Sequence, residues 1–161
     1  MLITIIGKRG RGKTTLVKKF IRESEVDRVL ILDFLGEYSS GEDSRITISR
    51  GYLYPFCKNA WDTSDISFKT LLVFDEIDCY GKYDWCIEYL YKYSRHKNLE
   101  MIAVSRGFYD LQVMTRKLTD VFYIFQTTDI RDIQYLSQYK GKEFVTKIVN
   151  LDYYEYMKLE L

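Results

Sequence analysis

Two stretches of this chain carry residue types at spacings suited to chemistry on a phosphate ester. The first is Gly7-Lys8-Arg9-Gly10-Arg11-Gly12-Lys13-Thr14-Thr15, which has the G-x-x-x-x-G-K-[ST] spacing of a P-loop, or Walker A segment. Its glycines let the backbone curl with N–H groups pointing inward. A helix opening at the lysine adds unpaired N–H groups and a positive dipole end, so the whole run Gly7 to Thr15 can enclose a polyphosphate. Lys13 then reaches the β- and γ-phosphates, and the Thr14 hydroxyl holds Mg²⁺. The second stretch is Asp75-Glu76, at the end of the apolar run Leu71-Leu72-Val73-Phe74. Asp75 has the type and place of a Walker B metal ligand. Glu76, one residue on, can polarise a water for attack on the γ-phosphate as a general base. Transfer to a small-molecule acceptor needs no base for water, so the pair favours hydrolysis of ATP; the competing reading is that Glu76 only caps the following turn.

The elements that must position these residues follow from apolar patterning. Leu2-Ile3-Thr4-Ile5-Ile6 reads as a strand entering the glycine-rich turn, and a helix runs from the turn to near Glu23. Arg28-Val29-Leu30-Ile31-Leu32-Asp33 has the continuous apolar run of a strand covered on both faces. Residues 36 to 65 read as irregular, with Gly36, Gly41, Gly51 and Pro55 marking turns and one short strand at Ile46-Thr47-Ile48. After Leu71 to Phe74, a helix is expected from about 82 to 95 with Trp85, Tyr89, Leu90 and Tyr93 on one face. A strand at Met101-Ile102-Ala103-Val104-Ser105, a short helix at 110 to 117, a strand at Val121-Phe122-Tyr123-Ile124-Phe125 and a helix at 129 to 139 closed by Gly141 come next. Residues 144 to 149 and 153 to 159 read as a C-terminal hairpin or edge strands. Five strands alternating with helices imply an α/β fold, a mainly parallel sheet with its ligand at the strands' carboxyl ends.

With Asp75 on the third strand of five, the chain resembles the ASCE division of P-loop NTPases, which implies a three-layer fold with core strand order 5-1-4-3-2. In that division the fourth strand ends in a polar sensor beside the γ-phosphate; the matching position is Ser105, followed by Arg106. Asp33-Phe34-Leu35-Gly36-Glu37-Tyr38 is similar to the D-x-x-G-E-Y segment of HerA/FtsK-type ATPases. The run from Arg95-His96 through Ser105-Arg106-Gly107 to Asp110-Leu111 is similar to the sensor region of those enzymes, although their usual glutamine is absent. The resemblance implies a motor that translocates double-stranded DNA as a homo-oligomeric ring, a hexamer or pentamer, with an arginine finger reaching the neighbouring subunit's nucleotide. Short members include viral genome-packaging ATPases and Zot-like assembly proteins. A packaging role would add a capsid or membrane-associated portal partner and place the protein in the host cytoplasm or on the virion.

Arg95, Arg106, Arg116 and Arg131 are the candidates for the finger, with Arg95 and Arg106 favoured because they flank the sensor strand. Lys8, Arg9 and Arg11 make the loop basic, and two readings stand: contact with nucleotide or DNA phosphates, or solvated loop charges. Composition narrows the field. The 161 residues, 47% hydrophobic, suit a single domain spanning 1–161. Twenty-four basic against 23 acidic residues give a net charge of +1, so DNA contact must come from a local patch or a ring, and to the backbone. Three cysteines and one histidine lack metal-ligand spacing and read as reduced thiols of a cytosolic protein. No apolar run reaches the roughly 18 residues of a membrane span. Two other functions remain: a nucleotide or small-molecule kinase with a lid in 36 to 70, and a Zot-like morphogenesis protein that binds ATP with little turnover.

Overall fold

Continuous apolar strands require cover on both faces, and the chain supplies it by alternating strands with helices. The computed structural model describes residues 1–80 and 84–160. In chain order these form β1 (Leu2–Ile6), α1 (Lys13–Glu23), β2 (Arg28–Leu32), β3 (Ile46–Ser49), α2 (Leu53–Asp62), β4 (Thr70–Phe74), α3 (Trp85–Tyr93), β5 (Leu99–Ser105), α4 (Val113–Leu118), β6 (Val121–Phe125), α5 (Ile130–Lys140), α6 (Lys142–Val149) and β7 (Tyr156–Glu160).

Among the described residues the strands make one sheet in the order β3-β2-β4-β5-β1-β6-β7. Its middle, β6-β1-β5-β4-β2, is the 5-1-4-3-2 core order, and the sheet differs from that expectation by one strand added at each edge. β3 pairs parallel with β2, and β7 pairs antiparallel with β6. The other pairings are parallel, so the turns after β1, β2, β4, β5 and β6 all emerge at one edge.

Alternation along β4 divides the core in two. Leu71 and Val73 face the layer that holds Leu16, Val17 and Ile21 of α1. Leu72 and Phe74 face the opposite layer, with Phe56, Ile87, Leu90, Leu136 and Ile148 from the remaining helices. This three-layer α/β arrangement is that of a P-loop NTPase.

Four local expectations need correction. Residues 144 to 149 form α6, not a strand. Six residues rich in β-branched types fit either period, and the helix wins because it puts Val145 and Ile148 into the core together. The irregular stretch contains α2. Pro55 is its third residue, in the first turn, where a missing N–H leaves no helix bond unmade. The helix expected at 82 to 95 is shorter, starting at Trp85 behind an Asp84 cap; positions 82 and 83 lie outside the described residues, and Ser94–Lys97 is a separate 3-10 turn. Its core face is Cys86, Ile87, Leu90 and Tyr91, while Trp85, Tyr89 and Tyr93 are exposed. The aromatic stripe is instead an outer ridge where Tyr89 meets Trp61 at 4.9 Å and Trp85 meets Tyr54 at 5.7 Å.

Candidate nucleotide site

The glycine-rich turn leaves β1 between its neighbours β5 and β6. Gly7 donates its N–H to the Ser105 carbonyl at 3.2 Å. A Cβ there would lie 2.6 Å from Phe125 Cβ, so no larger residue lets the turn sit this close to β6. Gly12, with φ of 101°, starts α1 without a side-chain cap or an acidic residue in the first turn. The first N–H groups of the helix are thereby left for a ligand. Lys13 is buried, and its Nζ donates to the Lys8 carbonyl at 3.2 Å. Burial lowers the Lys13 pKa, and the charges of Glu76, Asp75, Asp78 and Glu37 oppose that shift in this order.

The turn after β2 brings a carboxylate to the helix start. Buried Asp33 accepts the N–H groups of Gly36 at 2.8 Å, Glu37 at 3.0 Å and Tyr38 at 3.2 Å, an aspartate-centred turn that swings Glu37 toward α1. The Thr14 hydroxyl donates to Glu37 Oε2 at 2.6 Å, and Lys18 Nζ donates to the Glu37 carbonyl at 2.8 Å.

The turn after β4 supplies the acidic pair. Asp75 donates its N–H to the Leu32 carbonyl at 3.0 Å, and its side chain is 2% exposed with Oδ2 unpartnered among the described residues. Burial, then Glu76, Glu37 and Asp33, push its pKa up to about 7 against the pull of Lys13. A buried carboxylate oxygen without a donor is costly unless a cation or water takes it up. That orphaned oxygen fits a hard divalent cation that prefers oxygen ligands. Glu76 has φ of 49°, a left-handed conformation that turns its carboxylate into the cleft. Its pKa is raised by burial and by Asp78, and Lys13 and Arg106 oppose the rise.

These groups meet in a cleft of about 300 Å³ lined by Arg9, Gly10, Gly12, Lys13, Thr14, Thr15, Leu35, Glu37, Glu76 and Tyr154. Lys13, Thr14, Thr15 and Glu76 are thus together, and Asp75 lies buried behind the lining, within electrostatic reach of Glu76, Glu37 and Lys13. Lys8 and Arg11 turn elsewhere: Lys8 Nζ contacts the Thr128 hydroxyl, and the Arg11 guanidinium lies 4.2 Å from the Tyr153 ring centroid.

The sensor and finger candidates fall differently. Ser105 ends β5 beside Ile6, but its hydroxyl donates to the Gly107 carbonyl at 2.9 Å and accepts the Gly107 N–H at 3.3 Å. It is a turn residue here, closed on itself and not offered to a ligand. Arg106 Nε pairs within the same chain with Asp78 at 2.8 Å and Glu76 at 3.0 Å. Arg95 is exposed in the turn before β5, at the sheet edge opposite the glycine-rich turn, and does not reach the nucleotide site of its own chain. Arg116 lies 4.9 Å from the Tyr135 ring, and Arg131 pairs with Asp129. Asp33, Glu37, Asp78 and Tyr154 join the site without being among the residues expected in it. The segment Asp33-x-x-Gly36-Glu37-Tyr38 carries a local turn signature; the places of Asp78 and Tyr154 depend on long-range packing.

Comparison with solved structures agrees with this fold. The chain superposes on the genome packaging NTPase B204 of Sulfolobus turreted icosahedral virus 2 in complex with AMPPCP with a TM-score of 0.80 at 20% identity, covering 99% of this chain and 91% of that one. It is also similar to the N-terminal domain of zonular occludens toxin from Neisseria meningitidis, with a TM-score of 0.54 at 14% identity over 80% of this chain and 78% of that one. The cytoplasmic domain of the Type VII secretion ATPase EccC of Thermomonospora curvata gives 0.61 at 11% identity over 81% of this chain and 21% of that one. No curated protein sequence matches significantly. The model of the AAA domain family matches residues 1–120, and the chain, built on a P-loop fold with its phosphate-binding turn in place, belongs to that family.

Proposed function

We propose that this protein is a Mg²⁺-dependent ATPase of the HerA/FtsK type that drives movement of double-stranded DNA during viral genome packaging. The observation that carries the reading is the convergence on one cleft of an uncapped helix start, a buried lysine and Glu76, with Asp75 buried beside them. The α1 N–H groups and Lys13 would bind the β- and γ-phosphates. Glu76 would take a proton from the attacking water at its carboxylate. Bound Mg²⁺, held by Thr14 and Asp75, would neutralise phosphate charge. Similarity to B204 supports packaging; at a net charge of +1 DNA contact would come from a local patch or from a ring of subunits, through backbone phosphates. A host-cytoplasmic or virion-associated location goes with that role; among the described residues no helix is long and apolar enough to cross a membrane.

The kinase alternative has less support. Residues 36 to 70 form an aspartate-centred turn, β3 and α2, and Arg45 is spent on Asp43 and on the backbone of Ser24 and Val26. Arg50, the other arginine there, lies 3.8 Å from Asp33. The Zot-like alternative keeps the support of its structural match. Measuring ATP turnover with and without duplex DNA decides between the motor and the assembly protein. Stimulation of several-fold or more that fades between low and moderate salt is expected, because phosphate contacts release counterions. Tight ATP binding with negligible turnover, with DNA or without, would favour the assembly role.

Arg106 gives a test of Glu76 as the base. Its guanidinium lowers the Glu76 pKa, and the base must be ionised to work. Arg106→Ala should therefore move the acid limb of the kcat pH profile to higher pH, whatever it does to the plateau. An unmoved limb would separate Glu76 from the rate-limiting proton transfer.

A further inference from the structure

The cleft has two chemically different ends. One is acidic, with Glu76 and Glu37; the other is closed by Tyr154 against Gly12. They lie on opposite sides of β1, because Glu76 follows β4, beyond β5, whereas Tyr154 precedes β7, beyond β6. A triphosphate whose terminal phosphate meets Lys13 and Glu76 and that fills the cleft would carry its other end toward Tyr154 and β7.

What waits there is a ring held in a set position. Tyr154 meets the turn with one edge of its ring, so that a Cβ at Gly12 would be 2.6 Å from its Cδ1 and 3.3 Å from its Cε1, yet the residue is 66% exposed. Its φ of 66° is one that bulky side chains rarely adopt. The loop holds it through the Asp152 N–H donated to Glu155 Oε2 at 2.9 Å and the Glu155 N–H donated to the Asp152 carbonyl at 3.3 Å. Arg11 of the glycine-rich turn packs on the adjacent Tyr153 ring at 4.2 Å and ties this loop to the phosphate site. β7 is itself anchored by Tyr156 against Tyr123 and Phe125.

We infer that Tyr154 is the stacking platform for the nucleobase, so that the loop before β7 completes the nucleotide site. The turn holds the ring by one edge while the residue lines the cleft and stays largely exposed, which leaves ring surface for a flat heterocycle to stack on. The platform also accounts for Gly12 beyond its backbone angle, since any side chain there would lift the ring from its seat. The inference rests on the nucleotide reading of the cleft and concerns its base half only.

Calorimetric titration of the full chain with AMPPNP and, separately, with inorganic tripolyphosphate, both with Mg²⁺, tests it. Tyr154→Ala should weaken AMPPNP binding by about tenfold or more, the range for loss of one base–aromatic stack, and leave tripolyphosphate affinity unchanged. Tyr154→Phe should bind both ligands as the wild type does. The ring is exposed, so melting temperatures of the variants check that the fold is kept. Unchanged AMPPNP affinity in Tyr154→Ala, or equal loss of both ligands, would overturn the inference and leave the phosphate site standing. Failure of wild-type protein to bind either ligand would overturn the nucleotide reading and this inference with it.

Discussion

Glu76→Gln is expected to cut ATP turnover by roughly two to four orders of magnitude, the usual worth of a positioned general base, while nucleotide affinity stays near the wild-type value. The side chains have nearly the same shape, but an amide cannot accept the proton from water. The backbone at this position, with φ of 49°, is set by the turn after β4 and does not depend on the carboxylate. The exchange also removes a charge 3.0 Å from Arg106, which still has Asp78 at 2.8 Å and keeps its place. Single-turnover hydrolysis together with analogue binding measures both quantities. Turnover that survives the substitution would reduce Glu76 to a turn residue.

Asp75→Asn is expected to stabilise the ligand-free protein at pH 8 while weakening its response to Mg²⁺ and nucleotide. The ordinary aspartate value of 3.8 is pushed to about 7 in the folded chain. Between those values the folded state holds a proton that the unfolded state has released. Stability from this group therefore falls as pH rises from 3.8 toward about 7, and its full cost is present above that range. Asparagine does not titrate and escapes the cost. The gain at pH 8 is on the order of 2 kcal/mol, or a melting temperature higher by about 5 °C for a chain of this size. Melting curves in chelator from pH 4 to pH 8 should show variant and wild type converging at the acid end and separating with the variant on top. Parallel curves would mean that the carboxylate is not desolvated. Adding Mg²⁺ and an ATP analogue should stabilise the wild type more, by mass action, and reverse the order. Such a trade of stability for function is expected where a site holds a buried charge for a ligand to neutralise.

The two substitutions differ in how visible their sites are in the primary structure. Both residues follow a run of four apolar residues, and the need to cover such a run on both faces implies a parallel sheet, which brings its carboxyl ends to one edge. The local chain accordingly carried the glycine-rich turn, the start of α1 and the acidic pair. Where two periods fitted equally well, as in residues 144 to 149, or where aromatic spacing suggested a buried face, as at Trp85, Tyr89 and Tyr93, the local pattern misled. A helix can turn either of two stripes inward, and the layer above β4 had room for the smaller one, Cys86, Ile87 and Leu90.

By itself the sequence determined the glycine-rich turn and the class of fold, because each rests on contacts between residues close in the chain or on patterns repeated along it; the order of the core strands was implied only by the resemblance to the ASCE division. Only the tertiary structure decided that Glu37 meets Thr14, that Arg106 is held by Glu76 and Asp78 and that the edge of the Tyr154 ring meets Gly12. Those pairings join residues up to 142 positions apart, and their partners are chosen by strand order and register, which no local stretch encodes.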